Sequence, residues 1–192
     1  MKKSSQVTII GLSDPKSPEN VGAVMRAAGC YQVDSVYYTG KRYARAAKFN
    51  HDTKRVRERI PLTGVDCLLS VIGNEAGQET GQETGQETGQ ETGEKMKVVC
   101  VELVEGATPL PQFTHPDKAI YIFGPEDGSL SQSIVDRADA VVYVPTVGCM
   151  NLAATVNVLL YDRLAKSDSM VADDDLIRHS RDRNNRVKVK AN

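Results

Sequence analysis

Residues 140–166, with the sequence AVVYVPTVGCMNLAATVNVLLYDRLAK, pass from a strand-like run through a short loop into a long helical pattern. The β-branched residues at 140–144 predict a strand, and apolar residues recur at amphipathic helical spacing from Asn151 to Lys166. Upstream of this stretch, short β-branched runs again alternate with helical patterns. Strands separated by helices pair in parallel and are covered on both faces. The sequence therefore predicts an α/β fold with about five or six strands.

The upstream elements follow from the same periodicities. The runs KVVCVEL and AIYIF are rich in β-branched residues, as central strands are. Ser17 and Pro18 fit the N-cap and the first position of a helix. The expected strands are Val7–Leu12, Ser35–Thr39, Lys97–Leu103 and Ala119–Phe123, and the expected helices are Glu19–Tyr31, Gly64–Gly73 and Ser131–Ala138.

The composition is typical of a soluble globular protein, since 40% of the 192 residues are hydrophobic and 26% are charged. No apolar run approaches the ~20 residues of a membrane-spanning helix, so we expect no membrane partner. The N-terminal MKKSSQVTIIGL is interpreted as the first strand and not as a signal peptide. The four cysteines lack C-x-x-C spacing, which favours buried thiols in a reducing cytoplasm over zinc or disulfides. We therefore expect a cytoplasmic protein without a metal.

Two segments are strongly basic although the formal net charge is only −1. Residues 41–59 hold eight Lys and Arg against two acids, and residues 178–190 hold six against one. Such clusters on a near-neutral chain indicate a face that binds a polyanion. The alternatives are solvated helix faces and, for the second segment, a disordered end.

Residues 77–92 are four tandem copies of the tetrapeptide GQET. A segment without large apolar residues cannot bury enough surface to offset its ordering entropy, so we expect an acidic surface loop. The predicted organisation is one domain over residues 1–170, with residues 77–94 as a loop insertion, and a charged tail over residues 171–192.

Three segments place polar or glycine residues where a strand-like run meets a helix-like run: Asn20–Arg26, Gly124–Gly128 and Cys149–Leu152. In open α/β sheets, ligands bind at such junctions because loops and helix N-termini converge there. We therefore expect one composite site. The extended loop from Val144 to Leu152 exposes main-chain groups in an apolar setting, which suits an adenine ring.

Each segment also has a structural interpretation. Asn20 could cap its helix, Arg26 could form a surface ion pair, and Glu126 could be an ordinary turn residue. Gly124 permits close backbone approach, and Gly128 permits a positive φ. The chain has no P-loop, no G-x-G-x-x-G after the first strand and no G-x-S-x-G, and its three histidines lack metal-ligand spacing. The chain therefore lacks the residues that hydrolases and dehydrogenases usually use.

The segments NVGAVMRAAG (20–29), IFGPEDG (122–128) and CMNLAATVNVLLYD (149–162) resemble, in order and spacing, the three motifs of the TrmH (SpoU) type of the SPOUT superfamily of RNA methyltransferases. The resemblance extends from Val7 to about Lys166, the GQET repeat excepted. It implies a mostly parallel sheet flanked by helices, with a C-terminal deep trefoil knot. It also implies a homodimer that binds S-adenosylmethionine, with no metal, and methylates RNA at a ribose 2′-hydroxyl.

The resemblance assigns residues to roles. It implies catalytic residues Asn20, Arg26, Glu126 and Asn151, and cofactor-binding residues Glu102, Leu103, Gly124, Val144, Met150, Asn151 and Leu152. The family's arginine is usually described as a general base, but a guanidinium with a pKa above ~12 does not readily lose its proton. A phosphate clamp that stabilises developing alkoxide charge is the other assignment open to Arg26.

RNA contacts are expected in the segment 41–59, where Tyr43 and Phe49 could stack on bases. The predicted contacts are Arg42, Arg45, Lys48, Lys54 and Arg55. Small single-domain members of the family often act on tRNA, which favours tRNA over rRNA by analogy. Cys149 and Ala153 stand where many members have serine, so a catalytically silent RNA-binding relative, or a base methyltransferase, is the alternative.

Overall fold

Seven strands form one sheet in the computed structural model, which describes residues 6–46, 59–74, 95–168, 170–180, 187 and 189–190. Every strand pairs in parallel with its neighbours, in the order β3-β2-β1-β6-β4-β7-β5. The predicted α/β class and parallel sheet are confirmed. The strands are β1 (Val7–Leu12), β2 (Ser35–Tyr38), β3 (Leu62–Gly64), β4 (Lys97–Val101), β5 (Thr108–Pro109), β6 (Lys118–Phe123) and β7 (Ala140–Tyr143).

Three of the six helices in the described ranges lie close to predicted ones, at residues 18–30, 132–135 and 152–165, whereas the helices at 42–46 and 174–180 were not predicted. Ser17 caps the first helix by accepting from the Asn20 N–H at 3.2 Å, and Pro18 is its first residue, as predicted. The helices are α1 (Pro18–Cys30), α2 (Arg42–Ala46), α3 (Ser70–Asn74), α4 (Gln132–Val135), α5 (Leu152–Ala165) and α6 (Asp174–Ser180), with a short 3₁₀ turn at Leu110–Gln112. The GQET repeat lies outside the described residues.

Two sequence predictions about elements were wrong. The strands β3 and β5 were missed because they are the two edges of the sheet, and edge strands can be too short to show a periodicity. The helix predicted over Gly64–Gly73 begins only at Ser70, since Gly64 is the last residue of β3. The predicted tail contains α6, whose residues are all exposed.

The core has two layers, one on each face of the sheet. On one face α1 and α5 pack over Ile10, Leu12 and Tyr121. On the other face Ile9 is covered by Leu68, which precedes α3, and by Val71, which lies within it. Successive strand residues point to opposite faces, which is why Ile9 and Ile10 belong to different layers.

The cysteine prediction was largely wrong. Only Cys100, in the central strand β4, is buried, and burial raises the pKa of its thiol to about 11. Cys30, Cys67 and Cys149 are exposed because they lie in a helix end or in loops.

The carboxyl ends of the central strands lie level with one another. Leu12 of β1 and Val101 of β4 are both opposite Phe123 of β6, and Val101 is opposite Val142 of β7. The loops that follow these strands therefore leave the sheet side by side, together with the N-termini of α1 and α5.

Candidate cofactor cavity and substrate face

A cavity of about 440 Å³ lies at this carboxyl edge, between the loops after β4, β6 and β7 and the N-termini of α1 and α5. All the predicted cofactor residues line it: Glu102, Leu103, Gly124, Val144, Met150, Asn151 and Leu152. Of the four predicted catalytic residues, Asn20, Glu126 and Asn151 line it as well. The structure thus brings the three sequence segments to one place.

Gly124 lies against the carboxylate of Glu102. A Cβ at position 124 would stand 2.9 Å from Glu102 Oε2 and 3.4 Å from the Leu130 nitrogen. That same oxygen accepts from the Leu130 N–H at 2.9 Å, and Oε1 accepts from the Leu103 N–H at 3.1 Å. The predicted close approach at Gly124 is therefore observed, and it fixes one wall of the cavity.

Glu126 ties its loop to the start of α1. Its Oε1 accepts from the Ser17 N–H at 3.0 Å and from Asn20 Nδ2 at 3.1 Å, and its Oε2 accepts from the Lys16 N–H at 2.8 Å. Burial alone would raise the pKa of Glu126, but the hydrogen bonds from Asn20, Lys16 and Ser17 outweigh it and leave the pKa below its ordinary value. An ionised carboxylate with its oxygens occupied is a poor proton acceptor, so this geometry gives Glu126 a positioning role.

Asn151 is the N-cap of α5. Its side-chain oxygen accepts from the Ala154 N–H at 2.7 Å, which satisfies one of the free donors at the helix start. The loop before it turns at Gly148, where φ is +88°, a conformation that favours glycine. Thr146 Oγ1 donates to the Gly148 carbonyl oxygen at 3.0 Å and stabilises this turn. Asn151 lines the cavity as well as capping the helix.

Arg26 does not line the cavity. It is exposed on α1, six residues and roughly 9 Å along the helix from Asn20. Within the described part of the chain it has no hydrogen bond or ion pair. The small residues Gly22, Ala23 and Gly29 flank it, as the sequence indicated, so the guanidinium stands free above an open strip of helix.

The predicted RNA contacts divide into three groups. Arg42 is engaged with carboxylates of Asp14 and Asp127, whereas Arg45 is exposed and its side chain has no partner among the described residues. Lys48, Lys54 and Arg55 lie outside the described residues, as does Phe49. Tyr43 is not available to stack on a base, because it is 4% exposed and packs edge-on against Tyr38 with ring centroids 5.0 Å apart.

Sequence reasoning missed several residues at this edge. Tyr143, Thr146 and Thr155 also line the cavity, and their position beside the third segment was the available signal. Gly128 lines it as well but is not among the residues with positive φ, so the conformation expected for it was wrong. A Cβ there would meet only Pro125 Cγ, at 3.4 Å.

The described residues hold neither a metal-binding cluster nor a membrane-spanning helix. They contain no cluster of three or more His, Cys, Asp or Glu side chains able to hold a metal ion. None of the helices within the described ranges has the length and apolarity to cross a bilayer.

The sequence model of one protein family, described as the SpoU rRNA Methylase family, matches residues 7–161. The match therefore covers all three segments that converge on the cavity. No curated protein sequence matches the chain at a significant level.

Solved structures share the fold at low sequence identity. The SpoU methyltransferase AviRb from Streptomyces viridochromogenes, in complex with AdoMet, has a TM-score of 0.63 at 15% identity, over 84% of this chain and 58% of AviRb. An rRNA methyltransferase from Sinorhizobium meliloti has a TM-score of 0.62 at 15% identity, over 86% of this chain and 58% of its own. A structure described as giving insights into the 2-OH methylation of C/U34 on tRNA has a TM-score of 0.58 at 18% identity, over 83% of this chain and 95% of its own. The chain thus spans little more than half the length of the first two proteins.

Proposed function

We propose that this chain, which belongs to the SpoU rRNA Methylase family, transfers a methyl group from S-adenosylmethionine to a ribose 2′-hydroxyl of RNA. One observation carries the proposal. The three segments that resemble the family's motifs line a single cavity at the carboxyl edge of a parallel sheet. That edge is where open α/β folds bind nucleotide-like ligands.

The cavity fits the cofactor in size and chemistry. Its volume of about 440 Å³ lies within the usual range of about 300–1,000 Å³ for small-molecule sites. Leu103, Val144 and Leu152 offer apolar surface for a purine ring, and the loop from 144 to 151 offers main-chain groups for its edge. The Glu102 carboxylate has acceptor capacity beyond its two internal hydrogen bonds, which suits hydroxyl donors. Bound there, S-adenosylmethionine would supply an electrophilic methyl group.

The protein's contribution to the reaction is alignment and charge stabilisation. The acceptor hydroxyl must be held in line with the methyl group. The proton that it gives up as the bond forms would pass to solvent water, because both oxygens of Glu126 already accept hydrogen bonds and Arg26 keeps its own proton. Asn20 is held by Glu126 at the cavity mouth, where its amide can orient an incoming ribose. Arg26 binds the adjacent phosphate and stabilises the developing alkoxide, since its guanidinium remains charged.

The substrate we favour is tRNA. The structure that concerns C/U34 methylation on tRNA is matched over 95% of its own length. The Sinorhizobium meliloti rRNA methyltransferase is matched over only 58% of its own length. A fold shared over nearly all of the former chain supports tRNA as the substrate. We assign RNA backbone contacts to the basic segment 41–59, whose exposed described cations are Lys41, Arg45 and Arg59.

We also propose a homodimer in which Arg26 of one protomer serves the cavity of the other. The exposed face of α5 carries Val158, Tyr161 and Leu164, which are 37%, 58% and 37% exposed. Their spacing of three residues puts them on one side of the helix, and α5 packs against α1, the helix that carries Arg26. A contiguous apolar patch of this kind is typical of a protein interface.

The proposed fold includes a deep trefoil knot closed by the loop from Val144 to Asn151. It is supported by the strand order β6-β4-β7, which gathers the three cavity loops around one another. Single-molecule stretching tests it, because a knotted chain remains shorter than its full contour length by the residues held in the tightened knot.

One experiment separates the candidate functions. RNA from cells lacking the gene is incubated with the purified protein and radiolabelled S-adenosylmethionine, and the modified nucleosides are identified by mass spectrometry. We expect label in a 2′-O-methylnucleoside of the tRNA fraction. Label on a base would identify a base methyltransferase. Calorimetric binding of S-adenosylhomocysteine without transfer to any RNA would identify a silent relative, and no binding by folded protein at millimolar ligand would exclude the cofactor.

A further inference from the structure

Three loops at the carboxyl edge meet at Arg42, the first residue of α2. Arg42 Nη1 donates to both carboxylate oxygens of Asp127, at 2.8 and 3.0 Å. Its Nε lies 2.9 Å from Asp14 Oδ2 and 3.2 Å from the Asp14 carbonyl oxygen, which also accepts from Nη2. Asp14 follows β1, Arg42 follows β2 and Asp127 follows β6, three strands that are neighbours in the sheet. All three nitrogens of the guanidinium are therefore used within the protein.

The surroundings of Asp14 fix it in this arrangement. Asp14 has a φ of +42°, which a non-glycine residue seldom adopts, and its N–H donates to Thr39 Oγ1 at 3.2 Å. Gly40 has a φ of +79°, and a Cβ there would stand 1.9 Å from Asp14 Oδ1. The loop after β2 therefore needs glycine at this position so that the Asp14 carboxylate can reach Arg42.

Asp127 connects Arg42 to the cavity. It is bonded covalently to Glu126, whose carboxylate holds the Lys16 and Ser17 amides and the Asn20 side chain. Lys16 Nζ also lies 3.4 Å from Asp127 Oδ2. The hydrogen bond from Arg42 holds the pKa of Asp127 below its ordinary value, so the pair is charged at neutral pH.

We propose that Arg42 is a positioning residue for methyl transfer and not an RNA contact: through Asp127 it holds Glu126 and Asn20 in place at the cavity mouth. The inference rests on the proposed function, because it concerns the same site. The fork of charge-assisted hydrogen bonds to Asp127 and Asp14 fixes the plane of the Arg42 guanidinium, so a phosphate that turned it outward would have to displace that fork. Arg45, on the same helix, is exposed and its side chain has no partner among the described residues, so it is available to bind RNA.

Matched variants on α2 test this. Arg42→Met and Arg42→Lys should each lower kcat about tenfold or more, with RNA Kd changed less than twofold, because lysine cannot bridge two carboxylates as the guanidinium does. Asp127→Asn should lower kcat similarly. The double variant with Arg42→Met and Asp127→Asn should have a kcat only slightly below that of either single variant. Arg45→Met should instead raise RNA Kd and reduce the slope of log affinity against log salt by about 0.7–0.9. If Arg42→Lys keeps wild-type kcat, or Asp127→Asn tightens RNA binding with kcat unchanged, Arg42 contacts RNA and the proposal is overturned.

A second measurement does not depend on activity. Exposed ion pairs contribute little to stability, so the variants should fold. Hydrogen exchange at the Lys16 and Ser17 amides should become severalfold faster in Arg42→Met and stay at the wild-type rate in Arg45→Met. Unchanged protection in Arg42→Met would refute the positioning role even if the wild-type protein methylates no RNA. If the wild-type protein methylates no RNA but the Lys16 and Ser17 amides still exchange faster in Arg42→Met, the positioning role stands and only the proposed function is refuted.

Discussion

Gly124 and Glu102 show how a single side chain can decide the shape of the cavity. The Glu102 carboxylate occupies the space that any Cβ at position 124 would need, and it is held there by the Leu130 N–H. A carboxylate that bonds to backbone N–H groups on two loops keeps those loops at a fixed separation. The cavity wall therefore depends on the absence of a side chain at position 124.

Gly124→Ala should raise the Kd for S-adenosylhomocysteine about tenfold, equivalent to about 1.4 kcal/mol. The added methyl group forces the Glu102 carboxylate away from Leu130, and a lost hydrogen bond to a charged group typically costs about 1.5–3 kcal/mol. Calorimetry measures the effect. Gly128→Ala, in the same loop, is the matched control, since its Cβ meets only Pro125 at 3.4 Å. Equal affinities for the two variants would show that the close approach is unimportant.

Arg26→Ala should reduce methyl transfer more than about 100-fold, or about 2.7 kcal/mol of barrier, because the charge that stabilises the alkoxide is removed. Cofactor affinity and melting temperature should stay near wild type, since Arg26 is exposed and has no partner within the described ranges. Single-turnover assays and thermal denaturation provide the two readouts. Turnover within about threefold of wild type would remove Arg26 from the mechanism.

At the scale of elements, α5 joins the cavity to the opposite end of the sheet. Its N-cap Asn151 lines the cavity, and its last turns are anchored by polar contacts. Arg163 donates to the Pro116 carbonyl oxygen at 2.6 Å and to the Tyr121 hydroxyl at 2.9 Å. His115 connects Tyr121 to Asp162, since its Nδ1 lies 2.8 Å from the Tyr121 hydroxyl and its Nε2 lies 2.9 Å from Asp162 Oδ2. This buried network sets the position of the helix.

His115→Asn should lower the free energy of unfolding by about 1–3 kcal/mol at pH 7.5, since it leaves buried polar groups without partners. The pKa of His115 is lowered by burial and by the charges of Arg163 and Lys166, which outweigh the attraction of Asp162. A depressed folded pKa gives stability that is complete above the unfolded value of about 6.5 and declines as pH falls towards the folded pKa. Urea unfolding from pH 7.5 to 5 should therefore show the difference between wild type and variant shrinking. A difference that stays constant with pH would mean that the pKa of His115 is the same in the folded and the unfolded protein.

At the scale of the whole molecule, the proposed homodimer would let Arg26, which does not line the cavity of its own chain, serve the cavity of a second protomer. Protomers with Arg26→Ala keep an intact cavity, and protomers with a blocked cavity, such as Gly124→Trp, keep an intact Arg26. Neither should be active alone. Co-expressed in equal amounts, they should recover about a quarter of wild-type activity, because half of the dimers are mixed and each mixed dimer has one complete site.

Recovery in this mixing experiment requires that the two chains associate. Analytical ultracentrifugation should find a dimer for wild type and a monomer when Tyr161 and Val158 are both replaced by glutamate on the exposed face of α5. If the mixture stays inactive although mixed dimers form, the arginine serves its own chain.

The sequence by itself determined the parallel α/β class, the bounds of the central strands to within one or two residues, and the meeting of three separated segments. Each of these follows from a periodic pattern or from the rule that parallel strands end at one edge. The edge strands β3 and β5 gave no such pattern, because two or three residues are too few to establish an alternation whose period is two residues.

Only the tertiary structure decided what individual side chains in those segments do. The bonds from Glu126 to the start of α1 join residues up to 110 positions apart, and the Arg42–Asp127 pair spans 85. Tyr43 became a core residue and Arg45 stayed exposed, although both belong to one basic run. Local composition fixes which residues are available, but charge pairing and burial depend on which distant loops the sheet order places side by side. That order is a property of the packed molecule.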